Sequence, residues 1–208
     1  KDSFPDVLRG VQAIGHDGSG IKILMHQFVT VEGQRMSKRS GRFTTLDELI
    51  DEVGADVVRF FMLMRSAESH LDFDLELAQE QSEKNPVYYV QYAHARICSI
   101  LVKAEAGGFF DDSGEAALLR HPSEHALIRR LLELADTIDR AVRELAPLHL
   151  TTYARELAGS FHAFYRDCRV VDADNRAMTL ARVKLVRAAR IGMVRTLELL
   201  GVSAPEAM

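Results

Sequence analysis

Tryptophan is absent from this 208-residue chain, cysteine occurs twice and proline five times. Cys98 and Cys168 stand far apart in helix-like contexts with no Cys/His cluster beside either, so neither a disulfide framework nor a structural zinc site is expected. No protein-bound metal follows from such a sequence, and the cytosol is the default compartment. No apolar run approaches the roughly 20 residues that a membrane-spanning helix needs. A membrane partner is therefore not expected. Positive charge is not in excess: 26 Lys and Arg face 30 Asp and Glu, for a net charge of -4. That balance argues against wholesale coating of nucleic acid and gives no case for a DNA partner. The opening Lys1-Asp2-Ser3-Phe4-Pro5 has no initiator Met and no basic-then-apolar leader. It reads as a cut inside a longer protein, or as processing.

Hydrophobic residues at 47% and charged residues at 27% are ordinary for a globular protein, and the length suits one large domain or two small ones. Residues 1 to about 45 are Gly-rich and mixed, with strand-like stretches at Ile21–Met25 and Gln27–Val31. Thr45 and Glu48 then have capping-box spacing ahead of Leu46, Leu49 and Ile50, so a helix starts there and ends at Gly54. Ala55–Arg65 reads as a buried helix, and Asp72-Phe73-Asp74 as a turn. Asn85 and Pro86 cap and open the strongest helix, which stops at Gly107-Gly108. Its stripe is Val90, Ala93, Ile97, Ile100, Leu101 and Ala104. Further helices are expected over Ser123–Ala146, Thr151–Arg166 and from Asn175 to Leu200, closed by Gly201. Stripes of this kind are buried only against each other. The fold class is mainly α, a helical bundle preceded by a small α/β part.

Three groups of residues invite chemistry. The loop Arg35-Met36-Ser37-Lys38-Arg39-Ser40-Gly41 offers a mobile point charge, hydroxyls and permissive backbone that could close over a triphosphate. It lacks P-loop spacing, and on the residues alone a solvated basic loop is the better reading. Tyr88, Tyr92 and Arg96 fall four apart on one helix face, and Phe161 and Tyr165 repeat the spacing near Arg166 and Arg169. Rings stack on unpaired bases and guanidinium groups hold phosphates, which suits a single-stranded RNA loop. Tyrosines that merely border a core give the same spacing. Between Arg176 and Arg195 there are six basic residues and no acidic one, a stretch that suits either backbone phosphates or a solvated face. His16, Asp17 and Ser19 do not make a nucleophilic triad. His70, Asp72 and Asp74 do not make a metal site, and His94 reads as a satisfied core histidine.

Several stretches, in order, resemble a class I arginyl-tRNA synthetase. They are Arg35–Gly41, Thr45–Asp56, Asp72–Asp74, Asn85–Arg96, Phe164–Val170 and Leu199 to Met208. The resemblance implies that residues 1–75 are the end of a Rossmann-like catalytic domain with a KMSKS-like loop, and that residues 76–208 are an α-helical anticodon-binding domain. It implies ATP with Mg2+, L-arginine and arginine tRNA as the partners of the full-length protein, an arginine–tRNA ligase. Lys38 becomes the catalytic residue, and Arg35, Met36, Ser37 and Lys38 the ATP contacts. Tyr88, Tyr92, Arg96, Phe161, Tyr165, Arg169 and the terminal Met208 become the tRNA contacts. The His-Ile-Gly-His-type signature and the arginine pocket do not occur in the chain, which by itself is expected not to activate arginine. A stand-alone RNA-binding helical module, and a helical interaction protein whose aromatics are core, are the competing readings.

Overall fold

Short, mixed elements come first and long apolar stripes later, and the architecture follows that order. The computed structural model describes residues 3–31, 34–35 and 45–208. Its first helix, α1 (Phe4–Ala13), has Pro5 and Asp6 in its first turn and buries no residue. The mixed composition of this stretch gave no sign of it. Residues 21–28 form no regular element, against the expected strand at Ile21–Met25. Strand β1 (Val29–Val31) pairs antiparallel with β2 (Gln34–Arg35).

Helix α2 (Leu46–Val53) begins at the expected capping box: the Thr45 hydroxyl accepts from the Glu48 N–H, and the Glu48 carboxylate accepts from the Thr45 N–H. Gly54, at φ 88°, ends α2 and starts α3 (Ala55–Leu63), a conformation in which a Cβ would be strained. α3 buries Val58, Phe60 and Phe61. The expected turn at Asp72 is instead strand β3 (Leu71–Phe73), parallel to β1 in the register Val29↔Leu71 and Val31↔Phe73. Its Leu and Phe face the core while Asp72 faces out and accepts from Thr30 Oγ1 at 2.7 Å. Two flanking aspartates suggested a turn; the alternation of buried and exposed side chains decided for a strand. Asp74 then caps α4 (Leu75–Gln79) through the Leu77 N–H.

The bundle begins with α5 (Pro86–Ala106), whose limits are those expected. Buried Asn85 accepts from the N–H groups of Val87 and Tyr88 and donates to the Ala78 carbonyl at 3.0 Å, so one side chain ties α5 to α4. A single helix was expected over Ser123–Ala146, but two occur, α6 (Pro122–Leu132) and α7 (Leu134–Glu144). They part at Glu133, whose carbonyl accepts from both the N–H and the hydroxyl of Thr137. A hydroxyl bonding back to that carbonyl bends a helix without any Pro or Gly. Helix α8 (Leu148–Asp167) packs against α5, α6 and α7 and also against the last helix, α9 (Arg176–Leu200), which Gly201 closes at φ 65°. Phe161, Phe164, Leu157, Ile97, Leu127, Met193 and Leu197 fill the centre.

Three further contacts fix this arrangement. Gly114 lies under α9, where an added Cβ would come within 2.4 Å of the Leu180 carbonyl oxygen. Glu124, buried on α6, pairs with Arg182 on α9 at 2.7 Å. The residues after α9 return to α3 and α5: Asp56 accepts from the Ser203 N–H, Gln91 donates to Asp56 and to the Ser203 carbonyl, and the ring of buried His94 bonds the Pro205 carbonyl oxygen at 2.8 Å. His94 is thus the satisfied core histidine that was expected.

Among the described residues two buried side-chain polar atoms have no such partner, one of them on Tyr153. The Tyr153 hydroxyl is buried without a hydrogen bond, and burial pushes its pKa up to about 12. Tyr153→Phe should therefore be neutral or stabilising, by up to about 1 kcal/mol, because it removes an unsatisfied group and keeps the ring. Urea denaturation at pH 7 checks this; a clear loss of stability would mean that the hydroxyl has a partner.

Candidate nucleic-acid interface

Spacing on α5 and α8 brings four side chains into one stack at the surface. Tyr88 and Tyr92, one turn apart, lie nearly parallel, with ring centroids 6.1 Å apart and 8° between planes. Arg96, one turn further on, has its guanidinium carbon 4.9 Å from the centroid of the Tyr92 ring and 4.9 Å from that of Tyr165 on α8. Its Nη2 also donates to the Tyr92 hydroxyl. A cation is attracted by the ring quadrupole, and among the described residues no carboxylate forms an ion pair with Arg96. Tyr165 is 38% exposed. Behind it, Phe161 is stacked at 6.2 Å and 22° but has no exposed surface.

Beneath the stack lies His162. Its ring contacts Tyr89 (4.9 Å), Phe161 (5.8 Å) and Tyr92 (6.0 Å). Burial, followed by the Arg96 charge, holds its pKa below the ordinary histidine value, opposed by the Tyr89 backbone and by Glu83. The ring is therefore neutral at pH 7, and its Nε2 is buried with no hydrogen-bond partner. Such an orphan costs about 1–3 kcal/mol, which an apolar residue of similar size would avoid.

Aromatic faces, a ring-held guanidinium and an unpaired imidazole nitrogen suit the unstacked bases of single-stranded RNA. Comparison with known proteins bears directly on this. Residues 90–208 match the DALR anticodon binding domain model. The chain belongs to the DALR anticodon-binding domain family. Residues 4–89 match the model of class I (M) tRNA synthetases, so the two matches meet inside α5. Among relatives, an arginine–tRNA ligase of Dehalococcoides mccartyi is 51% identical over 95% of this chain and 36% of its own length. That of Salinibacter ruber is 46% identical over 99% of this chain and 37% of its own. Thermus thermophilus arginyl-tRNA synthetase superposes with a TM-score of 0.74 and 27% identity, covering 88% of this chain and 35% of that one. The chain spans little more than a third of the length of the curated relatives it matches. The expected resemblance to arginyl-tRNA synthetases is borne out.

The residues expected to touch RNA, all but Tyr88 of them in the DALR match, have unequal positions. Tyr92, Arg96 and Tyr165 come together in the stack, with Tyr88 at its outer end. Phe161 is a core side chain that backs Tyr165 and presents no face to a ligand. Arg169 is exposed, its Nε donating to the Val171 carbonyl at 3.2 Å and its Nη1 lying 3.7 Å from the Asp172 carboxylate. Met208 is 56% exposed. The six basic residues from Arg176 to Arg195 do not form a free phosphate-binding strip. Arg176 and Arg187 pair with Asp111 and Asp112, Arg182 with Glu124, Arg190 with Glu206 and Arg195 with Glu198, while Lys184 donates to the Asp112 and Gly114 carbonyls.

Sequence spacing missed His162 and Tyr89, whose i, i+3 and i, i+1 offsets from the noted rings put them between faces. Arg35 lies in β2; Met36, Ser37 and Lys38 lie outside the described residues. Among the described residues, no group of three or more His, Cys, Asp or Glu could hold a metal, and no helix is long and apolar enough to cross a membrane.

Proposed function

We propose that the complete protein is a cytoplasmic arginine–tRNA ligase that joins L-arginine to its tRNA at the expense of ATP. In this chain the part beyond residue 75 grips the anticodon stem and loop, and the Arg35–Lys38 loop contacts the ATP phosphates. The observation that carries the reading is the stack of Tyr92, Arg96 and Tyr165 in the DALR region, with Tyr88 just ahead of it. Its ring faces can stack on splayed bases while the guanidinium, unspent on any carboxylate, meets phosphate or a base edge. Arg169 and Met208 flank the same RNA in this reading, and Phe161 serves by holding Tyr165. Mg2+ comes with the ATP phosphates, in keeping with a cation that usually binds through substrate oxygens and few protein ligands. Lys38 neutralises charge that develops on the phosphates as arginine is adenylated, with Arg35, Met36 and Ser37 shaping the loop around it.

Titration of the protein with arginine tRNA and with an anticodon variant tests the reading. Arg96→Ala should weaken binding about 10- to 100-fold, in line with the ~1–3 kcal/mol of a base-stacking contact. The anticodon variant should bind less tightly than arginine tRNA at moderate salt. Equal affinity for the two RNAs, or an Arg96→Ala protein that binds as the parent does, would sink anticodon recognition by this face.

A further inference from the structure

The carboxylate of Asp56, in the first turn of α3, is a point at which three separate stretches of the chain meet. It accepts from Gln91 Nε2 on α5 at 2.9 Å, from the Ser203 N–H at 3.2 Å to each oxygen, and from the Ser203 hydroxyl. We propose that Asp56 is a positioning residue for arginine adenylation: it ties the segment that follows the Lys38 loop to α5 and to the residues after α9, and the rate at which Lys38 acts depends on that tie. The inference rests on the ligase reading above.

Three observations carry it. The two sides of the joint come from different parts of the chain, Asp56 from the class I (M) match, Gln91 and Ser203 from the DALR match. The joint also closes on itself. Gln91 Nε2 donates to the Ser203 carbonyl at 3.1 Å as well as to Asp56, so amide, carboxylate and tail form a ring of contacts. One turn along α3, the Arg59 side chain lies against Gly201 at the end of α9, where an added Cβ would come 3.2 Å from its Nη1. An acid at the start of α3 and a base at the end of α9 each suit the local helix dipole. Finally, α2 and α3 are the elements that follow the Lys38 loop. Thr45 caps α2, Leu49 buries it, and Gly54 joins it to α3. A shift of α3 therefore reaches the Thr45 end of that segment through one short helix and one glycine.

A mere anchor for the tail would use the same bonds, but the tail is already held without them. Val202 is buried, the Pro205 carbonyl bonds His94 on α5 at 2.8 Å, and Glu206 pairs with Arg190 on α9 at 2.7 Å. What Asp56 adds is α3: among the described residues, it makes the side-chain hydrogen bonds that join α3 to α5 and to the tail.

The test measures ATP–pyrophosphate exchange, with arginine and tRNA present, in the complete protein and its Asp56→Ala, Asp56→Asn and Gln91→Leu variants. Asp56→Ala should lower kcat about 10-fold, within what a small misplacement far from the chemistry can cost. The KM for ATP should stay within about 2-fold, the mark of a contact that matters in the transition state alone. Asp56→Asn keeps an oxygen to accept the Ser203 N–H and should recover most of the rate. Added to Lys38→Ala, Asp56→Ala should cost nothing further, because it acts through that lysine. Affinity for a synthetic stem-loop carrying an arginine anticodon should not change. Gln91→Leu cuts the α5 side of the joint, should lower kcat in the same direction, and carries the comparison should Asp56→Ala fail to fold. The parent kcat in both Asp56→Ala and Gln91→Leu overturns the positioning role and leaves the ligase reading standing. So does an undiminished further loss on the Lys38→Ala background, or a fall in stem-loop affinity that matches the fall in kcat. A parent protein without exchange overturns the ligase reading as well.

Discussion

Replacing Arg182 with methionine should destabilise the bundle by about 3–5 kcal/mol, the cost of leaving one member of a buried ion pair alone. Glu124 is 1% exposed, and its carboxylate accepts from Arg182 Nε at 2.7 Å and from the His121 N–H at 2.8 Å. Arg182 also donates through Nη1 to the Arg169 carbonyl at 2.8 Å, so the substitution loosens the α8–α9 loop together with the α6 start. Burial alone would raise the Glu124 pKa, but the bonds from Arg182 and His121 outweigh it and hold the carboxyl below its ordinary value. A carboxyl lowered in the folded state contributes stability that is present above its unfolded pKa and is lost as pH falls through the folded one. The gap between parent and variant should therefore be widest near pH 7 and narrow in acid, below about pH 4. Urea denaturation at both pH values checks the claim. A loss under about 1 kcal/mol at pH 7 would class the pair with exposed bridges. Replacing Glu124 and Arg182 together by methionine should recover most of the loss, since an apolar pair of similar volume often matches a buried ionic one.

On the proposed function, Lys38→Ala in the complete protein should lower ATP–pyrophosphate exchange in the presence of arginine and tRNA about 10²- to 10³-fold, the usual cost of removing one preorganised charge-stabilising group. Lysine is a compact point charge on a flexible stem, able to follow phosphate oxygens as their charge grows. Lys38→Arg keeps the charge but spreads it over a planar fork, and should restore only part of the rate. Affinity for the anticodon stem-loop, which in our proposal meets the opposite part of the chain, should not change. Exchange at the parent rate in Lys38→Ala would remove the residue from catalysis.

How far the sequence discloses this molecule depends on whether the deciding contact is local. Asn85, Pro86 and Gly107 mark both ends of α5 because caps act within a few residues, and the Thr45–Glu48 box is legible for the same reason. The α6–α7 break is not legible: nothing at Glu133 or Thr137 is a Pro or Gly signal, and only the structure shows the Thr137 hydroxyl bonding the Glu133 carbonyl. The basic run before Arg195 misleads because its neutralising partners Asp111, Asp112, Glu124 and Glu206 lie far away in sequence. Three of the four members of the stack were readable as Tyr88, Tyr92 and Arg96 on one helix. That Tyr165 closes the other side of Arg96 depends on how α8 packs. His162 escaped notice because one histidine between two aromatics carries no pattern, and its meaning comes from an absent hydrogen bond.

The place of α9 in the core also bears on how this part of the protein closes as it is made. Helices α5 and α8 carry apolar faces that α9 covers, yet α9 leaves the ribosome after both. Its 25 residues take about 1–5 s to synthesise at the usual ~5–20 residues per second. Through that interval Val183, Val186, Ala189 and Met193 are missing from a core otherwise ready to close. The nascent chain is then a sticky, half-built bundle, and a pause in translation there is where it would most need a chaperone.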